Sequence, residues 1–163
     1  MNKLFRMLVT FACLLMVAGC GWHLRGSHEL THVRAVHIEA KNPETGLALE
    51  LKNTLESLNI PVVDKANEAS HNIVIIDQDE EKRTLSVDGG GRSAEFLLKR
   101  EVEFVILDSN GEPRTSPQTV GSERVYEHDD RRPLAKSTEE QLLRDEMSRS
   151  LADTIIRILG NTR

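Results

Sequence analysis

Several groups of residues in this chain carry side chains capable of chemistry or of ligand capture. His128-Asp129-Asp130 sets an imidazole beside two carboxylates, the types that hold a metal ion or trade protons with a substrate. Neighbouring residues in a polar loop point in different directions, however, and no second histidine is placed beside them by periodicity. His23, His28, His32 and His37 have no ligand-like spacing either, and protonation there can tune surface charge at mildly acidic pH. Gly89-Gly90-Gly91 lacks the Lys-Ser/Thr pair and following helix of a phosphate loop, and His-Glu-x-x-His is absent, so the glycines read as a turn. The remaining group is cationic: Arg92 beside that turn, Arg131 and Arg132 in a charged stretch, and Lys136 shortly after. If the 88–92 turn and the 131–136 stretch meet at one end of the fold, they gather cations suited to phosphates or carboxylates. If they do not, they are solvated loop charges. No catalytic constellation emerges, so the expectation is a protein that is not an enzyme and holds no metal.

One further reactive atom is the thiol of Cys20. Lys3 and Arg6 precede an uncharged apolar run, Met7 to Gly19, of 13 residues. That run is too short to cross a bilayer as a mature helix, and its positive flank and small-residue end are those of an export signal. Val17-Ala18-Gly19-Cys20 resembles the lipobox of bacterial lipoproteins, which implies cleavage before Cys20, a diacylglycerol thioether on its sulfur and an N-acyl chain on the freed amine. One acyl chain binds a membrane marginally and two or three hold it there. Gly21 in place of Asp resembles the sorting signal that sends lipoproteins to the outer membrane.

Loss of residues 1–19 removes two cations and no acid, so the formal charge moves from −5 to −7. A general nucleic-acid binder is not expected. What remains is one ordinary domain with a single core. Of the two cysteines, Cys13 leaves with the signal and Cys20 is consumed by lipid, so no disulfide is expected.

Beyond Cys20, residues 20–32 lack periodicity and read as a tether into a domain over 33–160, with 161–163 as a tail. Val33 to Ala40 suits a first strand. From Thr45, Leu47, Ala48, Leu51, Leu55 and Leu58 recur at helical spacing, and Asn59-Ile60-Pro61 ends that helix. Asn72 to Ile76 is strand-forming, loses its alternation in the charges of Asp77 to Arg83, and resumes at Leu85 and Val87 before the glycine turn. From Ala94 to Ile106 every even position is apolar except Arg100, the period of a strand with one covered face. Asp108-Ser109-Asn110-Gly111 turns into a strand from about Thr119 to Glu127. Ser137 and Glu140 offer a capping box for a helix over about Thr138 to Leu159. Its stripe is Leu143, Met147, Leu151, Ile155 and Ile158, widened by Leu142 and Leu159, with Asp145, Arg149, Asp153 and Arg157 facing water and Gly160 as the stop. Two one-stripe helices and a sheet with one apolar face predict a two-layer α+β sandwich.

Cys20-Gly21-Trp22-His23-Leu24-Arg25-Gly26 resembles the start of the mature LPS-assembly lipoprotein LptE (RlpB) family. The similarity continues through Asn59-Ile60-Pro61-Val62-Val63, Ser93-Ala94-Glu95-Phe96 and Leu134-Ala135-Lys136. The resemblance implies two helices packed on one face of a four-stranded mixed or antiparallel sheet. It also implies a subunit of the outer-membrane lipopolysaccharide translocon, plugging and helping to assemble an LptD-like β-barrel and binding lipopolysaccharide. The family's basic residues at the strand turn and before the last helix carry over to Lys136 directly and to Arg92 as a neighbour of the turn, because Asp88-Gly89-Gly90-Gly91 departs from the family pattern. A free-standing envelope lipid-binding or chaperone lipoprotein is the alternative role.

Overall fold

The computed structural model describes residues 30–43, 46–87, 89–90, 93–127 and 133–162. Strand β1 spans Val36–Glu39, helix α1 Gly46–Ser57, β2 His71–Val87, β3 Ser93–Asp108, β4 Gln118–Glu127 and helix α2 Pro133–Asn161, with a 3-10 turn at Ala66–Glu68. The sheet order is β1-β2-β3-β4, with β1 parallel to β2 and the other neighbours antiparallel. A parallel pair needs a crossover, and α1 with the chain after it supplies one. The expected α+β sandwich forms, with both helices on one face of a mixed four-stranded sheet. No helix among the described residues is long and apolar enough to cross a membrane.

The alternation in β3 sets the layers. Leu98, Val102, Phe104 and Ile106 are buried on the helix side, where α1 brings Leu47, Leu51 and Leu55 and α2 brings Leu151, Ile155 and Leu159. The even residues of β4, unresolved as a face in the sequence, lie on this same side, because Val120 pairs with Val102 and Tyr126 with Phe96. Leu58, expected in the α1 stripe, is 41% exposed. The helix has already closed: Ile60 N donates to Leu55 O, Asn59 N donates to Glu56 O, and Asn59 takes a φ of 62°. This is the left-handed helix stop with its two characteristic bonds, and it carries Leu58 past the stripe.

Helix α2 begins earlier than the expected Thr138. Pro133 opens it, at the one helical position where a missing N–H and a fixed φ suit proline. The Ser137–Glu140 pair therefore lies inside the helix rather than at its start, and the Glu140 carboxylate is taken by Lys82 of β2, Tyr126 of β4 and Arg144 of α2. Gly160 lies inside the last turn rather than after it, and Thr162 closes the helix through its hydroxyl to Leu159 O at 2.7 Å. Leu142 is 60% exposed. It shares its helical direction with Glu146, Arg149 and Asp153 at three- and four-residue steps, which is the water side.

The β2–β3 hairpin is much longer than the layer that covers it. β1 pairs with β2 only as far as Val74, and residues 76–85 of β2 are exposed. The fold therefore has an apolar end, with β1, α1 and the last half of α2, and a polar end, with the far half of the hairpin, the end of β4 and the first half of α2.

Candidate functional site

The residues at the polar end are held by charge where the apolar end is held by hydrocarbon. Register places Val87 against Ser93 and Glu127 against Glu95. The segments 88–92 and 128–132 are thus both bounded by residues at this one end of the sheet. Helix α2 starts here too, since Glu140 on its second turn reaches both β2 and β4: its Oε2 accepts from Lys82 Nζ at 2.7 Å and from the Tyr126 hydroxyl. Lys136 lies one turn nearer the helix start. Its Nζ is 2.7 Å from Glu139 Oε2, and its side chain keeps 20% of its surface. An ion pair at the surface is worth about 0–1 kcal/mol, so a phosphate dianion can draw this ammonium away from Glu139.

Behind Lys136 a continuous network bolts α2 to the hairpin. Arg144 Nη2 lies 2.7 Å from Glu140 Oε1, and Arg144 Nε donates to Glu80 Oε1. Glu80 Oε2 accepts from Arg100, whose Nη1 donates in turn to the buried Ser148 Oγ at 2.6 Å. Arg100 is the residue that breaks the apolar alternation of β3, and the network is the reason it does: a guanidinium on the inner face finds a carboxylate from β2 and a hydroxyl from α2. Burial opposes ionisation of both Glu80 and Glu140. For Glu80 the bonds and charges of Arg100 and Arg144 overcome it, and for Glu140 those of Lys82, Tyr126 and Arg144 do, holding each carboxyl below its usual value. Burial also disfavours the Lys82 ammonium, yet its bonds to Glu140 and Tyr126 raise its pKa. Lys82 Nζ stands 4.4 Å from the Phe96 ring centre, and Phe96 stacks on Tyr126 with centroids 5.8 Å apart. Leu98, Tyr126 and Met147 form a small separate core beneath.

The opposite sheet face is acidic. Asp77, Asp79 and Glu81 of β2, Glu101 and Glu103 of β3 and Glu123 of β4 share it with Arg83 and Lys99. An anionic ligand is repelled from that face, whereas the loop end carries the Lys136 ammonium.

Of the residues singled out in the sequence, Lys136 is placed at this end. Cys20, Arg92, Arg131, Arg132 and the His128-Asp129-Asp130 run lie outside the described residues. No group of three or more metal-ligating side chains occurs among the described residues. Sequence inspection missed the Glu80–Arg100–Arg144–Glu140–Lys82 network, whose members meet across 58 and 64 positions. Arg100 on an apolar face was its one visible trace. It also missed His71 at the apolar end, where His32 and His71 meet edge to face at 5.6 Å.

The lipopolysaccharide-assembly model, LptE, matches residues 33–159. The chain belongs to the LptE family. Its members are non-catalytic lipoproteins of the outer membrane concerned with lipopolysaccharide assembly, and they carry an N-terminal lipid anchor. An LPS-assembly lipoprotein LptE of Yersinia pestis is 29% identical over 148 residues, covering 90% of this chain and 70% of the relative. The crystal structure of rare lipoprotein B from Shewanella oneidensis is similar at 30% identity and a TM-score of 0.68, over 78% of this chain and 95% of the other. The solution structure of lipoprotein B from Nitrosomonas europaea is similar at 28% identity and a TM-score of 0.72, over 86% and 90% of the two chains. Two helices on a four-stranded sheet is therefore the LptE architecture as well as the one the residues dictate.

Proposed function

We propose that this chain is the lipoprotein subunit of an outer-membrane lipopolysaccharide translocon. In this role it plugs and helps assemble an LptD-like β-barrel and binds lipopolysaccharide on its way to the outer leaflet. Residues 1–19 are a cleaved signal, diacylglycerol and an N-acyl chain on Cys20 moor the chain to the periplasmic leaflet, and residues 20–32 lead into the working domain over 33–160, with Leu30 and His32 already against it and its last helix running on to Asn161 with Thr162 as the stop. Lys136, Arg92, Arg131 and Arg132 supply the cations for lipid A or core phosphates.

The observation that carries this proposal is the separation of the two ends. The chain enters the fold beside His71, at the start of β2, through Leu30 and His32. The loop end lies at the other end of that strand, 17 residues away. At about 3.3 Å per residue the span is roughly 55 Å, which exceeds a hydrocarbon core of about 30 Å. A domain anchored at its entry can thus carry its cations past the midplane inside a barrel lumen, where polar surface is tolerated.

The test separates binding from assembly. Lys136→Glu and Arg92→Glu in the purified chain should weaken lipopolysaccharide binding by about tenfold each, the loss of a charged contact of about 1.5 kcal/mol, while a barrel of much greater mass still copurifies after detergent extraction. Unchanged binding would remove these residues from the site. A chain that is monomeric on extraction from its own envelope would instead support the free-standing lipid-binding role.

A further inference from the structure

The far half of β2 is an edge although it is followed by two more strands. Among the described residues nothing but β3 pairs with β2 beyond Val74. Strand β1 stops at Glu39, and the line it would have followed is an open cleft between Lys41, Asn42 and Gly46 on one side and β2 from Ile76 to Glu80 on the other. Among the described residues, no strand meets the backbone N–H and C=O groups on that side of Asp77 to Arg83.

Two bulges bracket this stretch. The register of β2 on β3 slips between Ile75 and Asp77 and again between Thr84 and Ser86. The extra residues are Ile76 and Leu85, 49% and 50% exposed. Bulges and charges protect an edge from indiscriminate pairing, but here each bulge also extrudes a large apolar side chain into water. The two lie nine positions apart, about 30 Å along an extended chain. Between them, the outer-face residues Asp77, Asp79 and Glu81 are acidic, and Arg83 near the Leu85 end is the cation among them. On the inner face Glu80 and Lys82 are already engaged with α2.

We propose that this edge docks an extended basic segment of a partner protein, which adds a fifth strand beside β2 where β1 leaves off. Its side chains alternate: cations on the outer face opposite Asp77, Asp79 and Glu81, uncharged residues on the inner face, and apolar residues at the two ends against Ile76 and Leu85. Main-chain bonds supply affinity and the alternate side chains supply selectivity. A second copy of this chain fits the acidic stretch less well than a basic segment does. Antiparallel self-pairing centred on Asp79 sets Asp77 against Glu81 and Asp79 against itself, and like charges placed directly opposite destabilise a ladder.

The proposal is independent of the lipopolysaccharide role and is tested by hydrogen exchange on the full chain in detergent. The probe is a ten-residue peptide alternating lysine with valine and threonine, and the control is the same peptide with glutamate for lysine. At a peptide concentration about 100-fold above its dissociation constant, exchange at alternate amides between residues 77 and 83 should slow by about 100-fold, and the protection should fall with added salt. The combined change Asp77→Lys, Asp79→Lys and Glu81→Lys, all on the water face, should abolish binding of the basic peptide and confer binding of the acidic one. No protection, or equal protection by both peptides, would overturn the proposal. So would protection already present without peptide: if it depended on protein concentration the edge would belong to a second copy, and if it did not, to this chain's own N-terminal segment.

Discussion

Replacing Glu80 by Gln keeps the volume of the side chain and removes the one carboxylate shared by Arg100 and Arg144. The Arg100 side chain is 16% exposed and Glu80 32%, so their pair sits between the surface and interior limits. Charge-assisted hydrogen bonds contribute about 1.5–3 kcal/mol when sheltered and surface pairs about 0–1 kcal/mol. Discounting the first for exposure and adding the more exposed Arg144 contact gives a loss of about 2 kcal/mol, with a fall in melting temperature of about 4–8 °C for a chain of this size. Urea denaturation at pH 7 should show the midpoint falling by about 1 M without a change in slope. A double-mutant cycle with Arg100→Gln should return a coupling of about 1 kcal/mol. The sign with pH follows from the direction of the shifts. Glu80 and Glu140 are held below their usual values in the folded state, so their contribution is complete above the unfolded carboxylate value of about 4.3 and is lost as pH falls through the lower native values. The gap between Glu80→Gln and the parent should therefore close in that range. A variant within 0.5 kcal/mol of the parent at pH 7, or a gap that persists in strong acid, would refute the view that this network bolts α2 to the hairpin.

Other outcomes follow from the same geometry. Phe104→Ala, at a fully buried position in the core to which both helices contribute, should cost about 3–5 kcal/mol in denaturant unfolding, whereas Leu142→Ala on the water side should change stability by less than about 0.5 kcal/mol. Burial, with the charges of His32 and Arg114, lowers the His71 pKa against the opposing pull of Asp108. The folded protein thus favours neutral His71, and stability should fall as pH drops below the unfolded value of about 6.5; His71→Gln should flatten that slope in thermal scans between pH 5 and 7. Gly111 takes a φ of +82° in the turn where Asp108 Oδ1 accepts from Asn110 N and Glu112 N, so Gly111→Ala should lower stability by about 1 kcal/mol or more, measurable in the same urea titrations.

Much of the layering was legible because it is periodic. The even positions of β3 identified its covered face, the Leu47–Leu55 spacing identified α1, and the charged ladder from Asp145 to Arg157 identified the water side of α2. Each is a local rule in which one residue's direction fixes that of its neighbours. The errors arose where a local rule met a distant partner. Leu58 fits the helical spacing of the stripe, but the Asn59 stop turns the chain at that point and leaves it exposed. Ser137 and Glu140 looked like a cap, but Lys82 and Tyr126 claim the carboxylate from strands 58 and 14 positions away. The length of β2 was hidden because Asp77 to Arg83 lacks apolar alternation, and what keeps that stretch extended is the ladder to β3.

The sequence by itself carried the pattern of an export signal, the lipobox-like run ending at Cys20, the family resemblance and the two-layer class, since these depend on short runs and on repeats of two or 3.6 residues. Only the tertiary structure decided that Arg100 belongs to a polar bolt, that Val87, Ser93, Glu127 and the start of α2 lie at one end of the sheet, and that the acidic half of β2 meets no strand but β3 among the described residues. Those facts depend on strand order and register, which arise from burial of the whole apolar face at once and cannot be read from any single stretch of residues.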